Sequence, residues 1–250
     1  TDTNDAFIFG CIPVVAFFIY LYQKANQEDK RPIGALLAVY TCIIVFWAVF
    51  HQNGDALTVW AESYTDREMA ASVASAADQV GMAQTVTNNG ANTDEVSKAY
   101  FSNLPAEKIP AEGSSLKLYS AELYQSINPF WVVLLTPIIV GFWGFLRSRG
   151  KEPSTPTKIT IGLVVTALSA LVMVGAVSAT NDLTSKASSM WLIASYGVIT
   201  IGELCLSPMG LSLVSKLSPP RITALMMGGA MAYTVWGWSQ DRFTPGDVVL

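Results

Sequence analysis

The stretch MWLIASYGVITIGELCLSPMGL, residues 190–211, decides how this chain folds. About 20 consecutive apolar residues are needed for a helix to cross the hydrocarbon core of a bilayer, and this run supplies them. Glu203 is its only Asp, Glu, Lys, Arg or His. A charge at bilayer depth costs roughly 2.5–3.5 kcal/mol on insertion scales. Such a residue faces a bundle interior or a wet cavity, where it meets a substrate, an ion or a proton.

The composition agrees with a membrane solvent. The 250 residues are 51% hydrophobic and 14% charged, where soluble domains carry about 25% charged residues. The net charge of −4 is small and no basic cluster points to nucleic acid. Cys11, Cys42 and Cys205 are far apart, which argues against a metal site or a disulfide framework. The acidic start TDTNDA does not fit a signal peptide, and the missing initiator Met is expected of a fragment.

Six segments read as membrane spans: Phe7–Tyr22, Ile33–Trp60, Pro129–Leu146, Ile159–Ala179, Met190–Leu211 and Ile222–Trp238. The connections after spans one, three and five carry the cations Lys24, Lys30 and Arg31, then Arg147, Arg149, Lys151 and Lys158, then Lys216 and Arg221. The positive-inside rule puts these three in the cytoplasm and both ends of the described topology outside. Segment 62–127 then lies outside, and its few large apolar residues predict a mobile insertion. The expected organisation is two helices in 1–61, the extracytoplasmic insertion 62–127, four helices in 128–240 and a divergent tail at 241–250. Pro137 and Pro208 predict kinked or broken helices beside buried polar groups.

Four positions could carry chemistry. His51 and Asp55 are four residues apart, share a helix face and can pair. His51 is the only histidine and titrates near neutrality, so it either handles protons or is an inert polar residue near the interface. Asn128 precedes Pro129, a pattern that suits a helix cap; its amide could instead face a ligand. Glu203 has no fixed cation in any of the six spans, so its partner is outside the chain or is a ligand and water.

Three blocks resemble one family. FWAVFHQNGDALTVWAE (46–62), ELYQSINPFWVVLLTPIIVGFWGFLRSRGKEPSTPTKITIGL (122–163) and IGELCLSPMGLSLVSKLSPPRITALMMGG (201–229) are similar, in order and spacing, to the proton-dependent oligopeptide transporters of the major facilitator superfamily. The resemblance implies an all-α polytopic transmembrane bundle, half of a major-facilitator fold plus one extra linker helix. Span one matches a linker helix of bacterial members, and spans two to six match core helices seven to eleven. Asn128 and Glu203 match the residues that hold a peptide's amino terminus, and Ser207 matches a site-lining position. His51 falls where many members carry a proton-coupling glutamate, so proton coupling would rest on His51 and Glu203. Ala230 stands where the family often has a tryptophan, and the segment from Ala230 to Leu250 departs from the pattern.

The resemblance implies proton-coupled uptake of di- and tripeptides by alternating access in the cell inner membrane. It implies no enzyme activity, no metal and no cofactor beyond the coupling proton. The implied partners are a peptide substrate, the lipid bilayer and an amino-terminal six-helix half that supplies an E-x-x-E-R motif and a lysine. No nucleic acid is implied. Two alternatives remain at this point: a related transporter of another small solute, and a membrane-anchored protein that acts through segment 62–127.

Overall fold

The structure is a computed structural model and describes residues 3–90, 94–180 and 184–229. Helix α1 (Thr3–Lys24) is followed by α2 (Gln27–Tyr64), whose 38 residues run about 57 Å at 1.5 Å per residue. After the intervening domain come α5 (Ile127–Ser148), α6 (Thr155–Ala179) and α7 (Ser189–Leu217). A further helix occupies 223–229, and the rest of span six and the tail lie outside the described residues. Among those described, α5 with the turn before it, α6 and α7 are long and apolar enough to cross a membrane. Helices α5 and α7 each continue as a single helix through Pro137 and Pro208.

The long α2 takes part in three buried clusters along its length. Near one end, Leu36 and Tyr40 bury Phe18 of α1, Val214 of α7 and Met226. At mid-length, Ile43 and Phe46 meet Ile159 of α6 and Leu206 and Leu213 of α7. At the other end, Ala61 packs with Ala121, Tyr124, Leu192 and Tyr196.

Helices α6 and α7 approach most closely, through small residues. A Cβ on Gly202 would lie 2.1 Å from Thr166 Oγ1 and 2.8 Å from the Gly162 carbonyl oxygen. A Cβ on Gly175 would lie 2.9 Å from the Trp191 ring. Lipid is as apolar as Leu, so helices in a membrane gain little from burying large side chains against each other. They gain from close backbone packing and from hydrogen bonds such as Ser195 Oγ to the Ser169 carbonyl at 3.4 Å. Helix α5 is more peripheral, with Phe130, Val133, Ile138 and Val140 all more than half exposed.

The described residues of segment 62–127 carry secondary structure and a small core, where the composition predicted a mobile insertion. The segment holds β1 (Thr65–Asp66), α3 (Ala71–Gln79), β2 (Ala83–Thr87), α4 (Glu95–Phe101), a 3-10 turn at Ala106–Lys108, β3 (Ser115–Tyr119) and a 3-10 helix at Ala121–Ser126. Strands β2 and β3 pair antiparallel, Ala83 opposite Tyr119 and Thr87 opposite Ser115. Val86, Tyr100, Phe101 and Leu118 form a small buried core beneath the hairpin. Strand β1 pairs in parallel with β4 (Ala187–Ser188), which ties the domain to the start of α7. Ser189 Oγ donates to the Asp66 carbonyl at 2.7 Å and accepts from the Tyr124 hydroxyl at 2.6 Å.

Arg67 is fully buried at this junction. Its guanidinium donates to Gln84 Oε1 at 2.8 Å, to the Tyr119 carbonyl at 2.7 Å and to the Glu62 carbonyl at 3.3 Å. Burial lowers the pKa of Arg67 and brings that of Lys186, which stacks over the Tyr100 ring at 4.5 Å, down to about 8. Where α5 turns into α6, Arg147 and Lys158 both pair with Glu152, and those hydrogen bonds hold its carboxyl at about 2.

The close α6–α7 contact carries a test. Gly202→Ala should lower the stability of the purified protein by about 1–3 kcal/mol, as overpacking does. Gly141→Ala, where a Cβ meets nothing within 4 Å, should leave it unchanged. Equal thermal unfolding midpoints for the two variants would contradict the packing described.

Candidate functional site

Helix α7 presents two packed faces, and their arrangement decides where its carboxylate goes. One face, with Ser195, Gly202, Cys205 and Leu206, is occupied by α6 and α2. The other meets α5. Gly197 leaves room for Trp131, whose ring a Cβ at that position would approach to 3.2 Å. Trp131 Nε1 donates to the Ile193 carbonyl at 3.0 Å and pins α5 to α7. Three residues beyond Gly197 comes Thr200, and three further Glu203, so both fall on the side of α7 nearest α5.

The Asn128 amide reaches both of them. Its Nδ2 donates to Thr200 Oγ1 at 3.0 Å and, more weakly, to Glu203 Oε2 at 3.4 Å. Thr200, fully buried, donates its own hydroxyl hydrogen bond to the Tyr196 carbonyl at 2.7 Å. Asn128, Thr200 and Glu203 therefore form one polar chain between two apolar helices, ending in a half-buried carboxylate. Glu203 has no ion pair among the described residues. Its second oxygen takes no hydrogen bond from them either, which leaves acceptor capacity for an incoming donor.

Asn128 does not cap its helix. The N-cap of α5 is Ser126, in a helical conformation and without a side-chain cap bond. The 3-10 helix Ala121–Ser126 runs directly into α5, so the first amides of α5 follow an existing helical turn, and Pro129 has no N–H to satisfy. The amide is thereby released to face α7.

Ser207 lies one turn beyond Glu203 on α7, half-buried, and makes no side-chain hydrogen bond among the described residues. His51 is not joined to this group by any described contact. Its ring stacks on Trp47 at 5.6 Å and meets Phe50 edge-on at 6.0 Å. Its Nε2 is buried with no partner among the described residues. The side chain of Asp55, the expected partner of His51, lies outside the described residues, as does Ala230. Among the described residues no three His, Cys, Asp or Glu side chains gather as a metal site requires.

Thr200 and Trp131 join the site without having been singled out in the sequence. The three-residue interval between Thr200 and Glu203 was the available signal for the first. Nothing local marks the second, because its partner is a backbone carbonyl 62 positions away.

Comparison with known proteins places this geometry in context. The model of the POT family (PTR2) matches residues 114–238, half of the chain. The di-/tripeptide transporter of Lactococcus lactis is 27% identical over 226 residues, 90% of this chain and 37% of that protein. The uncharacterized transporter YclF of Bacillus subtilis is 29% identical over 217 residues, 86% of this chain and 34% of its own. Dipeptide and tripeptide permease A of Proteus mirabilis is 38% identical over 107 residues, 43% of this chain and 21% of that one. The chain thus spans little more than a third of the length of the first two relatives. A crystal structure of the peptide transporter POT in complex with sulfate superimposes with a TM-score of 0.63 at 22% identity, over 96% of this chain and 40% of that chain. A POT family transporter in complex with a thioalcohol conjugated peptide gives 0.66 at 21% identity, over 95% and 40%.

The Asn128–Thr200 contact is testable as a cycle. The Asn128→Ala and Thr200→Val variants and their double variant should show a coupling of about 0.5–3 kcal/mol in thermal or denaturant unfolding. Strictly additive effects would mean that the two side chains do not touch.

Proposed function

We propose that this chain, which belongs to the POT family, forms one half of a secondary transporter for di- or tripeptides, with Asn128 and Glu203 seating the substrate's amino group. The observation that supports this best is the Glu203 carboxylate. It is half-buried between apolar helices, held by one neutral donor and without a cation among the described residues. A peptide ammonium satisfies such a group, and a charge-assisted hydrogen bond in a low-dielectric site is both strong and selective. The names of the Lactococcus and Proteus relatives, which specify di- and tripeptides, point the same way.

In this reading the peptide carboxylate is held by an opposing six-helix half. The two halves rock about a site near the membrane midplane, giving alternating access. Uptake is coupled to protons, and Glu203 is one of the groups that handle them. His51 is the second proton-handling group, with charge states of 0 and +1. The transporter sits in the inner membrane with domain 62–127 outside, as the lysine and arginine distribution of the short connections supports.

In the full-length transporter, Glu203→Gln should cut dipeptide uptake into proteoliposomes at least tenfold while membrane insertion is retained. A charge-assisted hydrogen bond contributes about 1.5–3 kcal/mol, and that loss corresponds to roughly ten- to a hundredfold. Near-normal uptake by the variant would remove Glu203 from the site. For His51, the pH profile of uptake by His51→Gln is the readout: a shifted profile supports proton handling, and an unchanged one assigns the residue a packing role against Trp47.

A further inference from the structure

We propose that the cleft between the end of α1, the α1–α2 turn and the segment after α7 is a binding site for an anionic phospholipid, independent of the transport reading. The cleft has a volume of about 220 Å³. Its walls divide by chemistry. Leu21 and Ile33, from the apolar stretches of α1 and α2, and Ile222 make an apolar floor that opens at the exposed Tyr20. Lys24 from the last turn of α1, Asn26 from the connection, Asp29 from the first turn of α2 and Arg221 from the segment after α7 make the rim. The division falls where α1 passes from its apolar run into QKANQEDKRP, at the membrane boundary.

That placement restricts the occupant. A free anion would be drawn to the rim but would leave the apolar floor unfilled. A hydrocarbon chain would fill the floor but not reach the cations. An amphipathic molecule with an anionic head satisfies both walls, and the bilayer supplies it at high local concentration. The exposed apolar face of α1, including Phe17 and Tyr20, continues from the cleft toward the bilayer interior and offers a path for an acyl chain.

The rim selects for negative charge. Arg221 pairs with Asp29 through one terminal nitrogen, which leaves donors of its planar fork for a phosphate oxygen. Lys24 makes no ion pair or hydrogen bond among the described residues. Of the three rim charges two are positive. A headgroup with its own ammonium or choline cation would place it against Lys24, whereas phosphatidylglycerol has none.

The test is native mass spectrometry of the detergent-purified chain with equimolar phosphatidylglycerol and phosphatidylcholine. At least fivefold more phosphatidylglycerol should be retained. Lys24→Gln, which breaks no described contact, should cut that preference at least twofold, and Lys24→Gln with Arg221→Gln should bring it to parity. Lys216→Gln, an exposed cation outside the cleft, should leave it unchanged. Equal retention of the two lipids, or a preference that survives the double variant, would overturn the proposal. Displacement of the lipid by glycerol phosphate alone would overturn it in favour of a free phosphate site.

Discussion

The contact on which the rest of this bundle depends is the backbone approach of α6 and α7 at Gly162 and Gly202. Residue 202 is the neighbour of the carboxylate. With no Cβ at either glycine, the Gly162 carbonyl lies within 2.8 Å of where a Gly202 Cβ would stand, and one face of α7 is committed to α6. A helix advances about 100° per residue, so Glu203 leaves that contact and turns toward the α5 side. Gly197 and Trp131 then close α5 onto the same helix one and a half turns earlier. The polar chain Asn128–Thr200–Glu203 follows from packing that is itself apolar.

Such a chain is unusual in its balance. Asn128 divides two donor hydrogens between a hydroxyl at 3.0 Å and a carboxylate at 3.4 Å. The firmer bond goes to the neutral group. The amide is thus fixed by Thr200, which is itself fixed by the Tyr196 carbonyl, and Glu203 is left with one loose contact. A binding group needs that combination: a rigid frame around it and acceptor capacity of its own. In a membrane a spare acceptor without water or a partner is costly.

Much of the bundle was legible in the sequence because lipid imposes a simple rule. Long apolar runs become helices, and the described parts of spans one to five fall within helices α1, α2, α5, α6 and α7. Glu203 was visible as a lone charge in such a run, and Asn128 as an amide at a span's start. Domain 62–127 was not legible. Its core draws on residues as scattered as Val86, Tyr100, Phe101 and Leu118, and its strands are five residues long or shorter. Short strands and a small core leave little periodicity to read. Its firmest anchor, Arg67, reads in sequence as a surface cation, yet it is fully buried by partners 17 and 52 positions away. The role of Asn128 depended on the helical turn before it, which satisfies the helix start and releases the amide.

The proposed partner of Glu203 is a substrate ammonium. Equilibrium binding of a dipeptide and of its N-acetylated form to the full-length transporter tests this pairing most directly, since acetylation removes the ammonium and little else. The free-amine peptide should bind at least tenfold more tightly than the acetylated one, and Glu203→Gln should abolish the difference. Equal binding of the two peptides to the unmodified protein, or a difference that survives the substitution, would contradict it.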